Sequence, residues 1–178
     1  MMASAVEFIA KTELASPDSS VSFTSIPGTY QHLQIRASVR DTASDYVESI
    51  YVQLGGASDS PVDTGNNYIR NYIDVDGTSE TGSGQLSNTN IWLGKATAAS
   101  ADSEKFGGMF INILDYANTN KQTTVQAFLE AHYTSGNSAR MRFTAGLWTD
   151  LEAVQTIKLI PNVNFATHSV FTLYGLKG

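Results

Sequence analysis

Residues 31–40 read QHLQIRASVR, an alternation of apolar and polar side chains. The apolar side chains occupy every second position, at Leu33, Ile35, Ala37 and Val39. Successive side chains of a β-strand point to opposite faces, so the pattern predicts a strand with one buried and one exposed face. Such a strand needs a second layer of structure to cover its apolar side.

The same period of two recurs along the chain, with turn-forming residues between the segments. The further strand candidates are residues 6–11, 21–26, 48–54, 68–75, 90–95, 107–116, 122–133, 139–148, 153–160 and 169–176. We therefore expect an all-β fold, an antiparallel two-sheet sandwich of the jelly-roll type with about eight to ten strands. Residues 1–178 are expected to form one domain, with residues 1–19 as an N-terminal arm or first strand.

The alternation also predicts which side chains fill the core. In residues 139–148 it places Phe143 and Leu147 inward, and Arg140 and Arg142 outward. Over the whole chain, the predicted core comprises Leu33, Ile35, Val39, Val52, Leu54, Ile111, Ile113, Leu129, Phe143, Leu147, Leu159 and Leu173.

Three other parts of the chain lack a clear strand pattern. Residues 95–106 have a helix-like composition but no apolar stripe, so they predict at most a short helix. Residues 55–68 and 78–90 are rich in Gly, Ser, Asn and Thr and are predicted to be loops, with GSGQ at 82–85 as a flexible turn. Together with the N-terminal residues 2–10, these loops are the candidate segments for contacts with a partner.

Composition excludes several classes of function. The net charge of −6 and the pI of about 4.9 argue against binding to nucleic acid or to an anionic membrane surface. There is no cysteine, so disulfides and thiolate metal sites are excluded. No apolar run approaches the length of a membrane span, and the first residues lack the features of a secretory signal.

No motif predicts catalysis or a bound cofactor. The chain has no nucleophile elbow, phosphate-binding loop or dinucleotide-binding glycine pattern. The three histidines, His32, His132 and His168, share no metal-ligand spacing. We therefore assign no catalytic, cofactor-binding or metal-binding residue and expect the protein not to be an enzyme.

One acidic segment has a partial likeness to a calcium-binding loop. DVDG at 74–77 lacks the third acid and the terminal Glu of such a loop, so we interpret it as an Asp-Gly hairpin turn. A surface calcium ion held by acids of this region remains an alternative, with the candidate ligands Asp59, Asp63, Asp74 and Asp76.

Two further groups of side chains have both a structural and a functional interpretation. Trp92 and Trp148 are interpreted as partly buried strand residues, with stacking on a sugar ring as the alternative. Four arginines on polar strand faces either pair with acids of neighbouring strands or form an interface: Arg36, Arg40, Arg140 and Arg142. Val6, Phe8 and Ile9 are further interface candidates, because an uncovered N-terminal segment would expose them.

Several long segments resemble a group of small virion proteins of tailed phages, frequent among marine and freshwater phages. The resembling segments are VSFTSIPGTYQHLQIRASVR at 21–40, LGGASDSPVDTGNNY at 54–68, FINILDYANTNKQT at 110–123 and AGLWTDLEAVQTIKLIPNVNFATHSVFTLYGLKG at 145–178. Proteins of this group are labelled virion structural, decoration or tail-fibre proteins. In DYANTNK, Asn118 and Asn120 supply residues that tolerate a left-handed backbone conformation in a turn.

The resemblance implies a non-enzymatic structural protein of the phage virion, assembled in the host cytoplasm. Room for a single domain favours a capsid decoration (cement) protein, which binds the outer capsid surface and stabilises the shell. The partners implied are two further copies in a homotrimer, and the major capsid protein or other virion proteins. The alternative is a tail, collar or fibre component that acts as a receptor- or carbohydrate-binding module.

Overall fold

The computed structural model describes residues 5–133 and 139–178, and within these ranges the chain forms strands, turns and irregular segments without a helix. The strands are β1 (Val6–Glu13), β2 (Val21–Phe23), β3 (His32–Val39), β4 (Val47–Gly55), β5 (Tyr68–Val75), β6 (Glu80–Asn88), β7 (Ile91–Thr97), β8 (Gly107–Leu114), β9 (Thr123–His132), β10 (Ala139–Trp148), β11 (Thr156–Pro161) and β12 (Val170–Leu176). In the same ranges, no helix is long and apolar enough to cross a membrane.

The strands pair into two antiparallel sheets of unequal size. The larger sheet has eight strands in the order β1-β12-β3-β8-β9-β10-β5-β6, and the smaller has four in the order β2-β11-β4-β7. The predicted all-β, two-sheet sandwich is therefore confirmed, with more strands than expected. The smaller sheet ends at β7, which contacts β9 and β10 and, less extensively, β5. Strand β6 lies beyond β5 at the edge of the larger sheet, so the smaller sheet does not cover it.

The core lies between the two sheets and contains most of the side chains that alternation predicts. Ten of them are 0 or 1% exposed: Leu33, Ile35, Val39, Val52, Leu54, Ile111, Ile113, Leu129, Leu159 and Leu173. Two aromatic side chains from near the C-terminus complete one end of the core, where the ring centroids of Phe165 and Phe171 lie 4.8 Å apart.

Strand β10 presents the opposite face from the predicted one. Phe143 is 63% exposed and Leu147 is only half-buried, so the prediction of these two core positions is wrong. The buried positions are instead Arg142, Thr144, Gly146 and Trp148. Gly146 fits because a Cβ there would lie 2.7 Å from Cδ1 of Ile91 in the opposite sheet, so the small residue permits the close approach of β7.

Residues 80–88, predicted to belong to a loop, form strand β6. This strand pairs with β5, and every residue from Glu80 to Ser87 is exposed. The hairpin turn predicted at DVDG is confirmed: the Asp76 carboxylate accepts hydrogen bonds from the backbone N–H groups of Thr78 and Ser79 at 3.1 and 2.9 Å, and Gly77 has φ of 89°. These hydrogen bonds lower the pKa of Asp76 to about 2.

No helix forms within residues 95–106, where the composition predicted at most a short one. Strand β7 ends at Thr97, and turns follow it. The buried guanidinium of Arg40 organises these turns by donating hydrogen bonds to four backbone carbonyls, those of Ala99, Ala101, Asp102 and Lys105, at 2.6 to 3.3 Å. In a helix, these backbone carbonyls would accept hydrogen bonds from backbone N–H groups. Here the Arg40 guanidinium is the donor instead.

The turn after β8 differs from the prediction in its backbone. Asp115, with φ of 48°, takes the left-handed conformation, and neither Asn118 nor Asn120 has a positive φ. Asp115 is stabilised there because its backbone N–H donates to Nδ1 of His32 at 2.9 Å and its carboxylate pairs with Lys121.

Candidate binding face

The face of the eight-stranded sheet turned away from the smaller sheet carries three neighbouring phenylalanine side chains, and an isoleucine continues their row. We call this surface the outer face. Phe110, Phe128 and Phe143 are direct cross-strand neighbours on β8, β9 and β10, and Ile73 continues the row on β5. The ring centroids of Phe128 and Phe143 lie 4.7 Å apart, and Phe143 and Ile73 are 63% and 61% exposed. We call these four residues the aromatic row.

A second cross-strand row on the outer face is built from side-chain amides. Gln34, Asn112 and Gln126 are neighbours on β3, β8 and β9, and Asn71 on β5 follows after Ala145 of β10. We call the four amide residues the amide row. Nε2 of Gln34 donates to Oδ1 of Asn112 at 3.1 Å, which fixes one end of the row, whereas Gln126 and Asn71 are exposed. At about 4.8 Å per strand, the row spans roughly 19 Å.

A groove of about 490 Å³ runs between the two rows. Its lining combines aromatic and amide side chains, among them Asn71, Asn112, Gln126, Phe110, Phe128 and Phe143. At the end near β6 the outer face carries Gly82 opposite Ile73 and Gly84 opposite Asn71. Because these two residues have no side chain, neither projects into the groove, and the side-chain amide of Asn71 lies over Gly84.

Arg36 closes the other end of the aromatic row. Its guanidinium carbon lies 5.9 Å from the ring centroid of Phe110 and 5.7 Å from that of Tyr174, within the range of cation–π attraction. Its Nε donates to Oε1 of Gln34 at 2.9 Å, which links the two rows. A second hollow of about 520 Å³ lies on the far side of Phe110 and Phe128, where Glu130 contributes a carboxylate.

The predicted interface residues separate into exposed and buried groups. Val6 and Phe8 are exposed on the edge strand β1, and Ile9 is half-buried against the core. Arg36 is exposed on the outer face. By contrast, the remaining predicted arginines face inward: Arg40 and Arg142 are buried, and Arg140 pairs with the buried carboxylate of Asp74.

Neither tryptophan reaches the outer face. Trp148 is fully buried, and its Nε1 donates to the carboxylate of Asp63 at 2.8 Å. Burial raises the pKa of Asp63, but the hydrogen bonds from Trp148, Asn67 and the Gly65 backbone outweigh it, so the pKa lies below its usual value. Trp92 is half-buried at the edge of the smaller sheet, against Tyr72.

The acids and histidines do not converge in the part of the chain that the structure describes. Within residues 5–133 and 139–178, no group of three or more His, Asp or Glu side chains could hold a metal ion. The four acids named as calcium candidates have separate partners: Asp74 pairs with two arginines, Asp63 with Trp148, Asp76 with its own turn, and Asp59 with the Gly56 backbone.

Most of this face was not predicted from the sequence, although the sequence contains a signal for it. The period-two pattern assigns Phe110 and Phe128 to the polar side of their strands, among Asn112, Gln126 and Glu130. A large aromatic residue on the polar side of two strands marks an exposed apolar surface. The cross-strand register brings these two residues together, and that register was not contained in the pattern.

The chain was compared with known proteins. No protein-family model and no curated protein matches it. Among solved structures, exo-inulinase from Aspergillus awamori is similar at 14% identity with a TM-score of 0.48; the match covers 96% of this chain but 29% of the inulinase.

Two smaller proteins are similar over more of their length. The CBM40 of the Ruminococcus gnavus IT-sialidase, solved bound to α2,3-sialyllactose, shows 10% identity and a TM-score of 0.37 over 93% of this chain and 91% of its own. The CBM2 module of Dit from Lactobacillus casei BL23 phage J-1 shows 13% identity and a TM-score of 0.30, over 93% and 77%. These likenesses do not bear on what this chain binds, and its resemblance to capsid decoration proteins has no matching family model.

Proposed function

We propose that the chain is a glycan-binding module of a phage particle and that the groove of the outer face is its binding site. The decisive observation is the amide row beside the aromatic row on an open sheet surface. This corresponds to the alternative interpretation of the sequence, a tail, collar or fibre component that binds a receptor or carbohydrate.

The chemistry of the two rows suits a sugar chain. A pyranose ring has an apolar face of C–H groups and a rim of hydroxyls. Phe110, Phe128 and Phe143 offer apolar surface for the ring face. Each side-chain amide offers both donors and an acceptor, so Asn71 and Gln126 match hydroxyls that donate and accept at once. The length of the row suits an extended oligosaccharide.

Binding to immobilised glycans tests this proposal. The screen should include bacterial surface polysaccharides, because under this proposal the phage receptor is a glycan of the host surface. Two variants probe the two rows: we expect Phe143→Ala and Gln126→Ala each to weaken binding of the best glycan, by about tenfold for a lost amide contact of about 1.4 kcal/mol. Val163→Ala removes a similarly exposed apolar side chain outside the groove and serves as the matched control.

The results of these measurements decide whether the groove is the binding site and whether the chain binds glycans. Loss of binding in Phe143→Ala and Gln126→Ala, with Val163→Ala unchanged, supports the groove as the site. Binding that is equal in all three variants would contradict the groove. Absence of binding to every glycan of the screen would contradict the proposed function.

A second candidate function is the structural one, attachment within the virion through the outer face. It is favoured by the exposed apolar side chains there, since Phe143, Ile73 and Met141 leave a continuous apolar area open to solvent. Under this hypothesis the face is covered by other copies in a homotrimer. Sedimentation equilibrium of the purified chain measures the assembly: a trimer that Phe143→Ser dissociates supports this candidate, and a monomer at tens of micromolar contradicts the trimer.

A further inference from the structure

The second hollow of the outer face carries two charged side chains of opposite sign. Its volume is about 520 Å³, and its lining includes Arg36, Ser38, Gly108, Phe110, Phe128 and Glu130. We call it the charged hollow. Ser38 and Gly108 are cross-strand neighbours on β3 and β8, and their small size leaves space between the larger side chains. A space of about 300–1,000 Å³ is typical of sites that bind small ligands.

Arg36 differs from the other arginines in its exposure. In residues 5–133 and 139–178, Arg40 and Arg142 are buried, Arg70 and Arg140 are half-buried, and Arg36 alone is exposed. The ion pairs of arginine in the same ranges join Arg140 and Arg142 to one aspartate, and none involves Arg36. The positive charge of Arg36 is therefore open to an anion from outside the protein.

Contacts within the protein hold the Arg36 side chain in place. Its Nε donates to Oε1 of Gln34, and Nε2 of Gln34 donates in turn to Asn112. The rings of Phe110 and Tyr174 both lie within cation–π range of the guanidinium. Among the described residues, Nη1 and Nη2 have no acceptor, so these two nitrogens can donate to a ligand. Because the side chain is already fixed, it loses little conformational entropy on binding.

Glu130 limits the charge that the hollow accepts. Arg36 on β3 and Glu130 on β9 are two strand spacings apart, about 10 Å across the sheet. A Cβ on Gly108 would lie 2.8 Å from Oε1 of Glu130, so this carboxylate lies over the floor of the hollow. An ionised carboxylate only accepts hydrogen bonds, which suits the hydroxyls of a sugar. It also repels a second anion, so an anionic group is favoured only on the Arg36 side.

Two aromatic rings connect the charged hollow with the groove. Phe110 and Phe128 line both spaces. A saccharide chain that lies over these rings therefore reaches the amide row on one side and Arg36 on the other.

We propose that the glycan bound by the outer face is acidic, and that Arg36 binds the carboxylate of a sugar unit in the charged hollow. This inference rests on the proposed function and names the class of glycan. A planar carboxylate accepts two parallel hydrogen bonds from Nη1 and Nη2, which a neutral hydroxyl does not. Glu130 and the net charge of −6 disfavour ligands of higher negative charge, such as sulfated polymers.

Carboxyl reduction supplies matched probes for this proposal. Hyaluronan, alginate and polygalacturonate contain uronic acids, and reduction converts each carboxylate to a neutral hydroxymethyl group without changing the rings or linkages. These polymers and every acidic polysaccharide of the glycan screen are measured in both forms at constant ionic strength. We expect the best-binding glycan to be acidic and to lose about tenfold or more in affinity on reduction. Dextran sulfate is the polyanion control and is expected to bind more weakly.

Variants locate the carboxylate. Arg36→Gln is expected to lower the affinity for the acidic glycan by about tenfold and to leave the affinity for its reduced form unchanged. Lys158→Gln makes the same change in net charge on β11 of the smaller sheet and is expected to change neither affinity. Arg36→Lys keeps the charge without the planar fork and is expected to lose most of the affinity for the acidic form. Circular dichroism melting shows whether the variants are folded, and Arg36→Lys serves as the test if Arg36→Gln is not.

The opposite results overturn the inference. Equal affinity for the acidic and reduced forms would exclude the carboxylate, while binding of either form would still support the proposed function. A loss in Arg36→Gln that is equal for both forms would make Arg36 a structural residue of the groove, and no loss would exclude Arg36. Dextran sulfate that binds as tightly as the acidic glycan would reduce the effect to general attraction of anions. Absence of binding to every glycan would contradict the proposed function itself.

Discussion

The guanidinium of Arg142 and the indole of Trp92 lie in contact inside the sandwich, with 3.3 Å between the Arg142 Cζ and the ring centroid. Arg142 also forms an ion pair with Asp74, and both side chains are at most 3% exposed. A cation thus occupies an inward position of β10 where alternation would place an apolar side chain. The pairing with Asp74 and the cover of Trp92 fix the face that β10 turns inward.

Removing the carboxylate from this pair should destabilise the fold strongly. In Asp74→Asn, the buried Arg142 and its neighbour Arg140 lose their common negative partner. We expect the free energy of unfolding to fall by about 3–5 kcal/mol, because an uncompensated charge stays in the interior. Urea denaturation followed by circular dichroism measures this change.

The double variant provides the control. Asp74→Asn combined with Arg142→Met removes both charges of the pair and leaves an apolar side chain of similar length. It should recover a large part of the stability lost in Asp74→Asn. A double variant that is less stable than Asp74→Asn would show that the contacts of Arg142 with Tyr72 and Trp92 outweigh the cost of its unpaired charge.

The two faces of the large sheet predict a contrast between two apolar substitutions. Leu129→Ala truncates a side chain that is 1% exposed in the core and should cost about 2–5 kcal/mol. Phe143→Ala truncates a larger side chain on the outer face, where it is 63% exposed, and should cost less than Leu129→Ala because little core contact is lost. Thermal melting of the two variants checks the order, and a larger loss in Phe143→Ala would contradict the register of β10.

The strands with strict alternation could be predicted from the sequence. The buried face could not be predicted where it depends on side chains from other strands. In residues 31–40 the apolar positions Leu33 and Ile35 are buried as predicted, because period two and burial agree there. In residues 139–148 both faces carry large side chains. Which face turns inward depends on Asp74 and Trp92, which are remote in sequence. Pattern within one segment cannot contain that information.

The candidate sites were less predictable for the same reason. Three members of the amide row, Gln34, Asn112 and Gln126, come from three segments, and cross-strand register alone aligns them. Strand β6 was missed because its residues are small and polar, and it lacks an apolar face: it pairs with β5 but is not covered by the smaller sheet. Alternation detects burial, so it cannot detect a strand without a buried face.

Asp41 gives the protein a predictable dependence of stability on pH. The side chain is fully buried, and its Oδ1 accepts from the Ala43 backbone at 2.7 Å. Burial raises the pKa of this carboxyl above its usual value. As pH rises above about 3.9, the unfolded chain releases this proton before the folded chain does, so Asp41 lowers the free energy of unfolding until the pH exceeds its folded pKa.

Asp41→Asn should therefore raise the melting temperature at pH 7 to 8, because the amide keeps the acceptor for Ala43 without a buried charge. The difference from the wild type should shrink as pH falls through the raised folded pKa of Asp41, because the wild-type carboxyl then becomes protonated in the fold. Melting curves between pH 4 and 8 measure both effects. Asp41→Ala, which also removes the acceptor, is the control; a pH-independent difference between Asp41→Asn and the wild type would rule out titration of Asp41.

Residues 55–68, predicted as a contact loop, are anchored to the core at their end by Tyr68. Its hydroxyl lies 3.0 Å from the backbone N and O of Leu54 and from the backbone O of Asp63, all buried. The hydroxyl can accept from the Leu54 N–H and donate to one of the carbonyls at a time.

Tyr68→Phe removes this oxygen and leaves the Leu54 N–H without its side-chain acceptor. We expect a loss of about 1–3 kcal/mol in the free energy of unfolding, the cost of an unsatisfied buried polar group. Tyr174→Phe removes a hydroxyl from a half-buried side chain on the outer face and should change stability little. Hydrogen exchange of the Leu54 amide should accelerate in Tyr68→Phe if the loop loosens, whereas unchanged exchange and stability would show that residues 55–68 are held without the Tyr68 hydroxyl.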